Sequence, residues 1–122
     1  MKWNYQNKEV NSASDLPEDV MGFVYVIEYS NGTYYFGQKN MFKSMTLNAL
    51  KNGETREGAR RVGSSEVTKD LVISDKIIMT VAYNKRQLTY LEAKTLFNEE
   101  ALEDEQCHNL NILGKFFKGN ID

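Results

Sequence analysis

Gly22-Phe-Val-Tyr-Val-Ile-Glu-Tyr29 is followed by Ser30-Asn31-Gly32 and then by Thr33-Tyr-Tyr-Phe-Gly37. Both flanking runs are rich in β-branched and aromatic residues, and the first alternates in part between its two faces. Asn-Gly between two such runs is a strong local hairpin signal, because a type I′ turn needs positive φ at both central positions. The stretch predicts two antiparallel strands joined by a two-residue turn.

Outward from the hairpin the texture changes. Residues 1–20 are rich in Asn, Ser, Asp and Glu, hold the only proline, Pro17, and read as an N-terminal arm. Residues 21–122 read as a single domain. From Gln38 to about Asn52, Met41, Phe42, Met45, Leu47 and Leu50 fall near helical spacing, with Gly53 as a stop. Residues 54–63 are charged and read as a loop, and Ser64 or Ser65 can cap a short helix to about Val72. Lys76-Ile-Ile-Met-Thr-Val-Ala-Tyr83 reads as a third strand. Asn84, with Gln87 three residues on, is an N-terminal capping pair for a helix that runs to about Glu103. The tail Asn109–Phe117 is apolar enough to pack back on the body. The order predicts an α+β domain, a single three-stranded sheet flanked by helices.

Composition narrows the function. The chain has 122 residues and 14 aromatics, enough to bury a core as one domain. Cys107 and His108 are the only members of their types, so an intrachain disulfide and a four-ligand Cys/His zinc site are both excluded. Their adjacency does not suit shared coordination of one ion. No apolar run approaches the roughly 20 residues of a membrane span, and Met1 to Val10 is too polar for a signal peptide. A soluble cytoplasmic protein with no membrane partner is expected. The net charge is −2, unevenly spread. Residues 38–61 hold Lys39, Lys43, Lys51, Arg56, Arg60 and Arg61 against Glu54 and Glu57, a local +4, whereas residues 99–105 carry five acids. The two stretches can form two different faces, or simply two ordinary solvated surfaces, the plainer reading of charge alone.

Two residue groups could carry chemistry. Tyr25 and Tyr29 share a face of the first strand, while Tyr34 and Tyr35 point to opposite faces of the second, so a phenol from each can meet. Taken alone, amphipathic packing is the plainer explanation of such tyrosines. A phenol near a metal and a cation loses its proton more easily than its ordinary pKa implies. Glu92 lies between Leu88 and Leu96, four residues to either side, in the middle of an apolar stripe. A carboxylate there needs a partner, a proton or a cation, and a salt bridge at the core edge satisfies that need as well as a metal does. Mg²⁺ is commonly held by one or two carboxylates, with water and phosphate completing its shell.

Gly22-Phe-Val-Tyr25, the Asn-Gly hairpin and Tyr35-Phe-Gly37 together resemble the paired signature of the GIY-YIG nucleases. Tyr90-Leu-Glu-Ala-Lys94 resembles the helix that carries that family's metal-binding glutamate, and Asn109-Leu-Asn-Ile-Leu-Gly114 its closing asparagine segment. Thr89 to Phe117 and Gly63-Ser-Ser65 look like small phage-encoded members. The resemblance spans about residues 21–117 and implies an antiparallel three-stranded sheet with flanking helices.

It also implies a DNA endonuclease that hydrolyses phosphodiesters with one Mg²⁺ or Mn²⁺ ion, encoded by a phage or mobile element and acting in the host cytoplasm. Homing, host-genome degradation and processing of packaged DNA all fit. Glu92 would bind the metal. Tyr25 would activate the attacking water, Tyr35 would support it, and Lys39 would contact the phosphate. No arginine occurs between Gly37 and Arg56, so the cation that stabilises the developing charge falls to Arg56, Arg60 or Arg61. Asn109 or Asn111 would tie the site together, and the sequence does not choose between them. No room remains for a second DNA-binding domain, so a protein partner or a homo-oligomer is a further way to gain specificity. The alternative is a GIY-YIG-fold binding or assembly module without catalysis, acting with DNA or a protein.

Overall fold

The computed structural model describes residues 2–41 and 71–119. Their frame is a five-stranded mixed sheet built from β1 (Asn4–Tyr5), β2 (Lys8–Glu9), β3 (Gly22–Tyr29), β4 (Tyr34–Asn40) and β5 (Ile73–Ala82), in the order β2-β1-β5-β3-β4. Helix α1 (Lys85–Asn98) covers one face, and β6 (Asn111–Ile112) and β7 (Phe116–Phe117) form a separate small hairpin. The fold is thus α+β as expected, but the sheet has five strands instead of three and is not purely antiparallel. The antiparallel trio β5-β3-β4 lies within it, and the two extra strands come from the segment expected as an arm.

That segment has a physical reason to join the sheet. β5 would otherwise present an open edge, and β1 pairs with it in parallel through Asn4 and Tyr5. Trp3 is then driven into the core, edge-on to Phe23 at 5.4 Å and to Tyr25 at 5.0 Å between ring centres. Lys76 is buried beside it, with Nζ 4.9 Å from the centre of the Trp3 ring.

β3 is the middle strand of the antiparallel trio, and both of its faces are covered, which is why its sequence runs nearly without polar interruption. Val24 and Val26 pack toward α1 with Leu88, Ala93 and Leu96. Phe23, Tyr25, Ile27 and Tyr29 pack on the opposite face with Trp3, Tyr35, Met41 and Ile78.

The hairpin β3–β4 forms, but not with the expected turn. Gly32 takes φ +88° and Asn31 does not enter the positive region. The Gly32 N–H instead donates to the Tyr29 carbonyl at 3.0 Å, and the Asn31 carboxamide oxygen accepts from the Thr33 N–H at 3.1 Å and the Thr33 hydroxyl at 2.6 Å. The Asn31 side chain thus closes a longer loop in which only the glycine is left-handed. A two-residue turn with positive φ at both centres does occur, at Leu113-Gly114 between β6 and β7, with φ +57° and +67°. The Lys115 N–H closes it onto the Ile112 carbonyl at 3.0 Å.

The helix expected from Gln38 does not begin there. Gln38, Lys39 and Asn40 continue the ladder opposite Val24, Phe23 and Gly22, and the Met41 N–H donates to the Met21 carbonyl. The rest of that helix, the loop 54–63 and the Ser64/Ser65 cap lie outside the described residues. β5 starts three residues before the expected Lys76, with Ile73 opposite Tyr29. α1 begins as expected: the Asn84 side chain accepts from the Gln87 N–H at 2.8 Å, and the Gln87 side chain from the Tyr83 N–H at 2.7 Å. It ends at Asn98, five residues short of Glu103. The Ala101 and Glu100 N–H groups turn back to the Leu96 and Phe97 carbonyls, a helix-ending motif with Glu100 at φ +52°. Five acids at the negative pole of the helix dipole would oppose its continuation.

Candidate active site

β4 is an edge strand, and what closes its edge creates the site. In an antiparallel ladder the backbone groups of alternate residues point away from the partner strand. On β4 these are Tyr34, Phe36 and Gln38. The Tyr34 N–H donates to the Gln106 carbonyl at 3.0 Å, and the Tyr34 carbonyl accepts from the His108 N–H at 2.8 Å. At Phe36 a side chain takes over: Asn109 Oδ1 accepts from the Phe36 N–H at 2.8 Å, and Asn109 Nδ2 donates to the Phe36 carbonyl at 2.9 Å. One buried carboxamide thus stands in for a neighbouring strand. After Asn109 the chain turns away, and a cleft opens beside Gln38.

The cleft has a volume of about 490 Å³ and is bordered by Tyr35, Gln38, Thr89, Glu92, Asn109 and Asn111, with Leu96, Leu110 and Leu113 as its apolar wall. Glu92 is half-buried between the buried Leu88 and Leu96, as the stripe predicts. Gln38 Nε2 approaches Glu92 Oε1 at 3.4 Å, a long hydrogen bond across the mouth. Gln38 is not among the residues the sequence singles out, because the apolar spacing from 41 to 50 points to a helix that starts at Gln38. The strand alternation Tyr34, Phe36, Gln38 is the signal that would have found it.

The expected residues divide. Tyr35, Glu92, Asn109 and Asn111 border one cleft. Asn109 is buried and holds the edge, whereas Asn111 is exposed and accepts from the Gly114 N–H at 2.9 Å in the β6–β7 turn. Tyr25 is not at the cleft. It stands opposite Gly37, on the sheet face away from α1, and is fully buried against Trp3 and Phe23. Lys39 is also buried, on that same face opposite Phe23. Arg56, Arg60 and Arg61 lie outside the described residues.

The donor set suits a hard cation in kind. Among the described residues no group of three His, Cys, Asp or Glu side chains gathers to hold a metal. The oxygen donors at the cleft are the Glu92 carboxylate and carboxamides, of which Asn109 and Asn111 are already engaged with backbone N–H groups. A single carboxylate with an open mouth matches the way Mg²⁺ keeps most of its water and takes phosphate oxygens.

The wall behind the cleft is stiffened by charge. The Tyr34 hydroxyl donates to an Asp104 carboxylate oxygen, and that hydrogen bond holds the Asp104 carboxyl below its usual range, while burial and the same bond push the phenol up. Lys118 Nζ donates to the Asp104 and Cys107 carbonyls at 2.8 and 2.7 Å. Burial pushes the Cys107 thiol up and, with Lys118 nearby, the His108 imidazole down. Neither adds a charge to the cleft.

A family model described as "Putative endonuclease segE, GIY-YIG domain" matches residues 3–121. The match takes in the segment expected as an arm as well as both tyrosine motifs, the glutamate helix and the asparagine tail. No curated protein and no solved structure gives a significant match to the chain. Among the described residues no helix is long and apolar enough to cross a membrane.

Proposed function

The chain belongs to the GIY-YIG endonuclease-domain family, and from that premise we propose that it hydrolyses DNA phosphodiesters at the cleft between Glu92 and the β4 edge, with one divalent ion. The observation that carries the reading is the convergence of Tyr35, Gln38, Glu92, Asn109 and Asn111 from three separate segments on one opening.

Glu92 would hold the ion, Mg²⁺ or Mn²⁺, which supplies positive charge to the scissile phosphate and its leaving oxygen when bound. Gln38 orients the Glu92 carboxylate. Of the two motif tyrosines, Tyr35 is the one that borders the cleft, and we assign it the attacking water. Tyr25 supports it from the same face of the sheet. Asn109 fixes the β4 edge on which Tyr35 and Gln38 ride. Arg60 or Arg61 supplies the cation opposite the developing charge. A phage or mobile-element origin and action in the host cytoplasm fit this reading.

The full burial of Tyr25 favours a second reading, a GIY-YIG-fold module that binds without cutting. Supercoiled plasmid incubated with Mg²⁺ and with EDTA separates the two. Nicking that needs metal and is lost in Glu92→Gln and Tyr35→Phe supports the nuclease. Loss in Tyr25→Phe but not in Tyr35→Phe exchanges the roles of the two phenols. No cleavage over a range of metals at low salt leaves the binding module.

A further inference from the structure

A second groove, of about 570 Å³, runs beside the Glu92 cleft and shares Thr89 and Leu113 with it. Its walls are Lys85, Arg86, Tyr90 and Ala93 from α1, and Leu113 from the tip of the β6–β7 hairpin. The spacing explains the division: Lys85, Arg86, Thr89, Tyr90 and Ala93 form one stripe of α1, and Thr89, Glu92 and Leu96 the next. Two features of this groove are not accounted for by folding. Tyr90 is 63% exposed and Leu113 54% exposed, facing one space instead of the core. Leu113 also sits at φ +57°, where a bulky side chain is disfavoured and Asn or Gly is the usual occupant. Among the described residues the only charges lining the groove are the two cations Lys85 and Arg86.

An aromatic ring and an aliphatic side chain flanking an open slot, with two cations at its end, match one ligand chemistry: a nucleobase with its phosphate. In a regular duplex the base faces are already covered by their neighbours. The slot therefore suits a base that has left the stack.

Resting on the proposed nuclease reading, we propose that this groove takes an unstacked nucleotide next to the scissile phosphate, with the base on Tyr90 and Leu113 and its phosphate on Lys85 and Arg86. The substrate class is then DNA carrying a bulge, gap or flap in preference to perfect duplex. Continuity with the Glu92 cleft through Thr89 and Leu113 puts that nucleotide at the edge of the bond to be cut.

The test uses the full chain in EDTA, so that binding is read without cleavage. The probes are a duplex with an unpaired 2-aminopurine and the same duplex fully paired. Wild type is expected to bind the bulged probe about tenfold more tightly and to quench its fluorescence, the size expected for one base on one aromatic ring. Tyr90→Ala is expected to lose both the preference and the quenching, and Tyr90→Phe, which keeps the ring, to retain them. Leu113→Asn is expected to weaken the preference while melting no lower than wild type, since Asn suits that backbone conformation. Replacing Lys85 and Arg86 together by Ala should reduce the salt slope of binding by about 1.5–2. Equal affinity of wild type for the two probes, or a preference that survives Tyr90→Ala, overturns the proposal. If wild type still nicks plasmid with Mg²⁺ in that case, the nuclease reading stands and only the groove assignment falls. A wild type that neither binds nor cuts DNA removes both.

Discussion

Gly37 is the residue at which the two tyrosine motifs meet, and replacing it with alanine tests why. Gly37 stands directly across from Tyr25 in the β3–β4 ladder. A Cβ built on Gly37 would lie 2.5 Å from Tyr25 Cζ, closer still to Oη, and 3.1 Å from Cε1. These are atoms of a rigid ring, and the ring cannot swing away. It is fully buried, with the Trp3 ring centre 5.0 Å away and that of Phe23 6.1 Å away. Overpacking of this kind costs about 1–3 kcal/mol. Gly37 does not sit at positive φ, so alanine also gains about 0.5–1 kcal/mol from its better backbone entropy in a strand. The steric cost wins, and Gly37→Ala should be destabilised by about 1–2 kcal/mol, or about 4–8 °C in Tm for a chain of this size. Tyr25→Leu removes the obstructing ring, so in that background Gly37→Ala should be neutral or stabilising. Urea unfolding of the two single variants and the double variant gives the coupling directly. A coupling of about 1–2 kcal/mol is expected. A value within about 0.3 kcal/mol of zero would mean that the glycine is not there to seat the tyrosine.

Three further outcomes follow from the same geometry. Asn109→Ala leaves both backbone groups of Phe36 without their partner and should cost about 2–4 kcal/mol, with the Phe36 amide exchanging hydrogen much faster, a change NMR can follow. Glu100→Gly relieves φ +52° at the residue that ends α1 and should stabilise the chain by about 1 kcal/mol in a thermal melt. His108 is the only histidine, and burial and Lys118 depress its pKa below 6.5. A depressed folded pKa means that its contribution to stability is present above about pH 6.5 and is lost as pH falls through the lower folded value. The single imidazole NMR signal should titrate below 6.5, and the urea midpoint of wild type should fall relative to His108→Gln over the same range.

Much of this fold is written in local signals. The β3 run, the Asn84–Gln87 capping pair and the apolar stripe that half-buries Glu92 each depend on residues close in sequence, and each is found where the sequence points. What was not legible depends on distant partners. Trp3 sits in a polar stretch, and only the Tyr25 and Phe23 rings, some twenty residues on, make it a core residue. Asn109 and Asn111 look alike in sequence. They differ because one meets the outward-facing backbone of Phe36 and the other the turn at Gly114. Asn31-Gly32 predicts one turn type, but the Asn31 side chain, bonded to Thr33, holds another. The sequence also allowed Tyr25 to be a surface phenol, and the three aromatics packed around one ladder position decide otherwise.

Charge is the last property that position changes. The net charge of −2 and the basic run 38–61 suggest a polyanion face on that run. Yet Lys39, the first cation of the run, is buried on the face away from α1. The described cations of the groove beside the cleft come instead from α1, where Lys85 and Arg86 stand in its first turn and Glu92 is its only acid. The five acids of residues 99–105 lie past the other end of the same helix. The helix dipole, positive at its N-terminal end, adds to that separation. A long polyanion is therefore attracted toward the Lys85 end and repelled from the Glu99 end. At roughly 1.5 Å per residue the 14-residue helix separates these ends by about 20 Å, more than the screening length of about 8 Å at physiological salt. The two ends act as distinct fields, and the acidic balance of the whole chain does not cancel the attraction at one of them. The Glu92 cleft lies between them, so on the proposed reading a strand would approach the carboxylate from the Lys85 side.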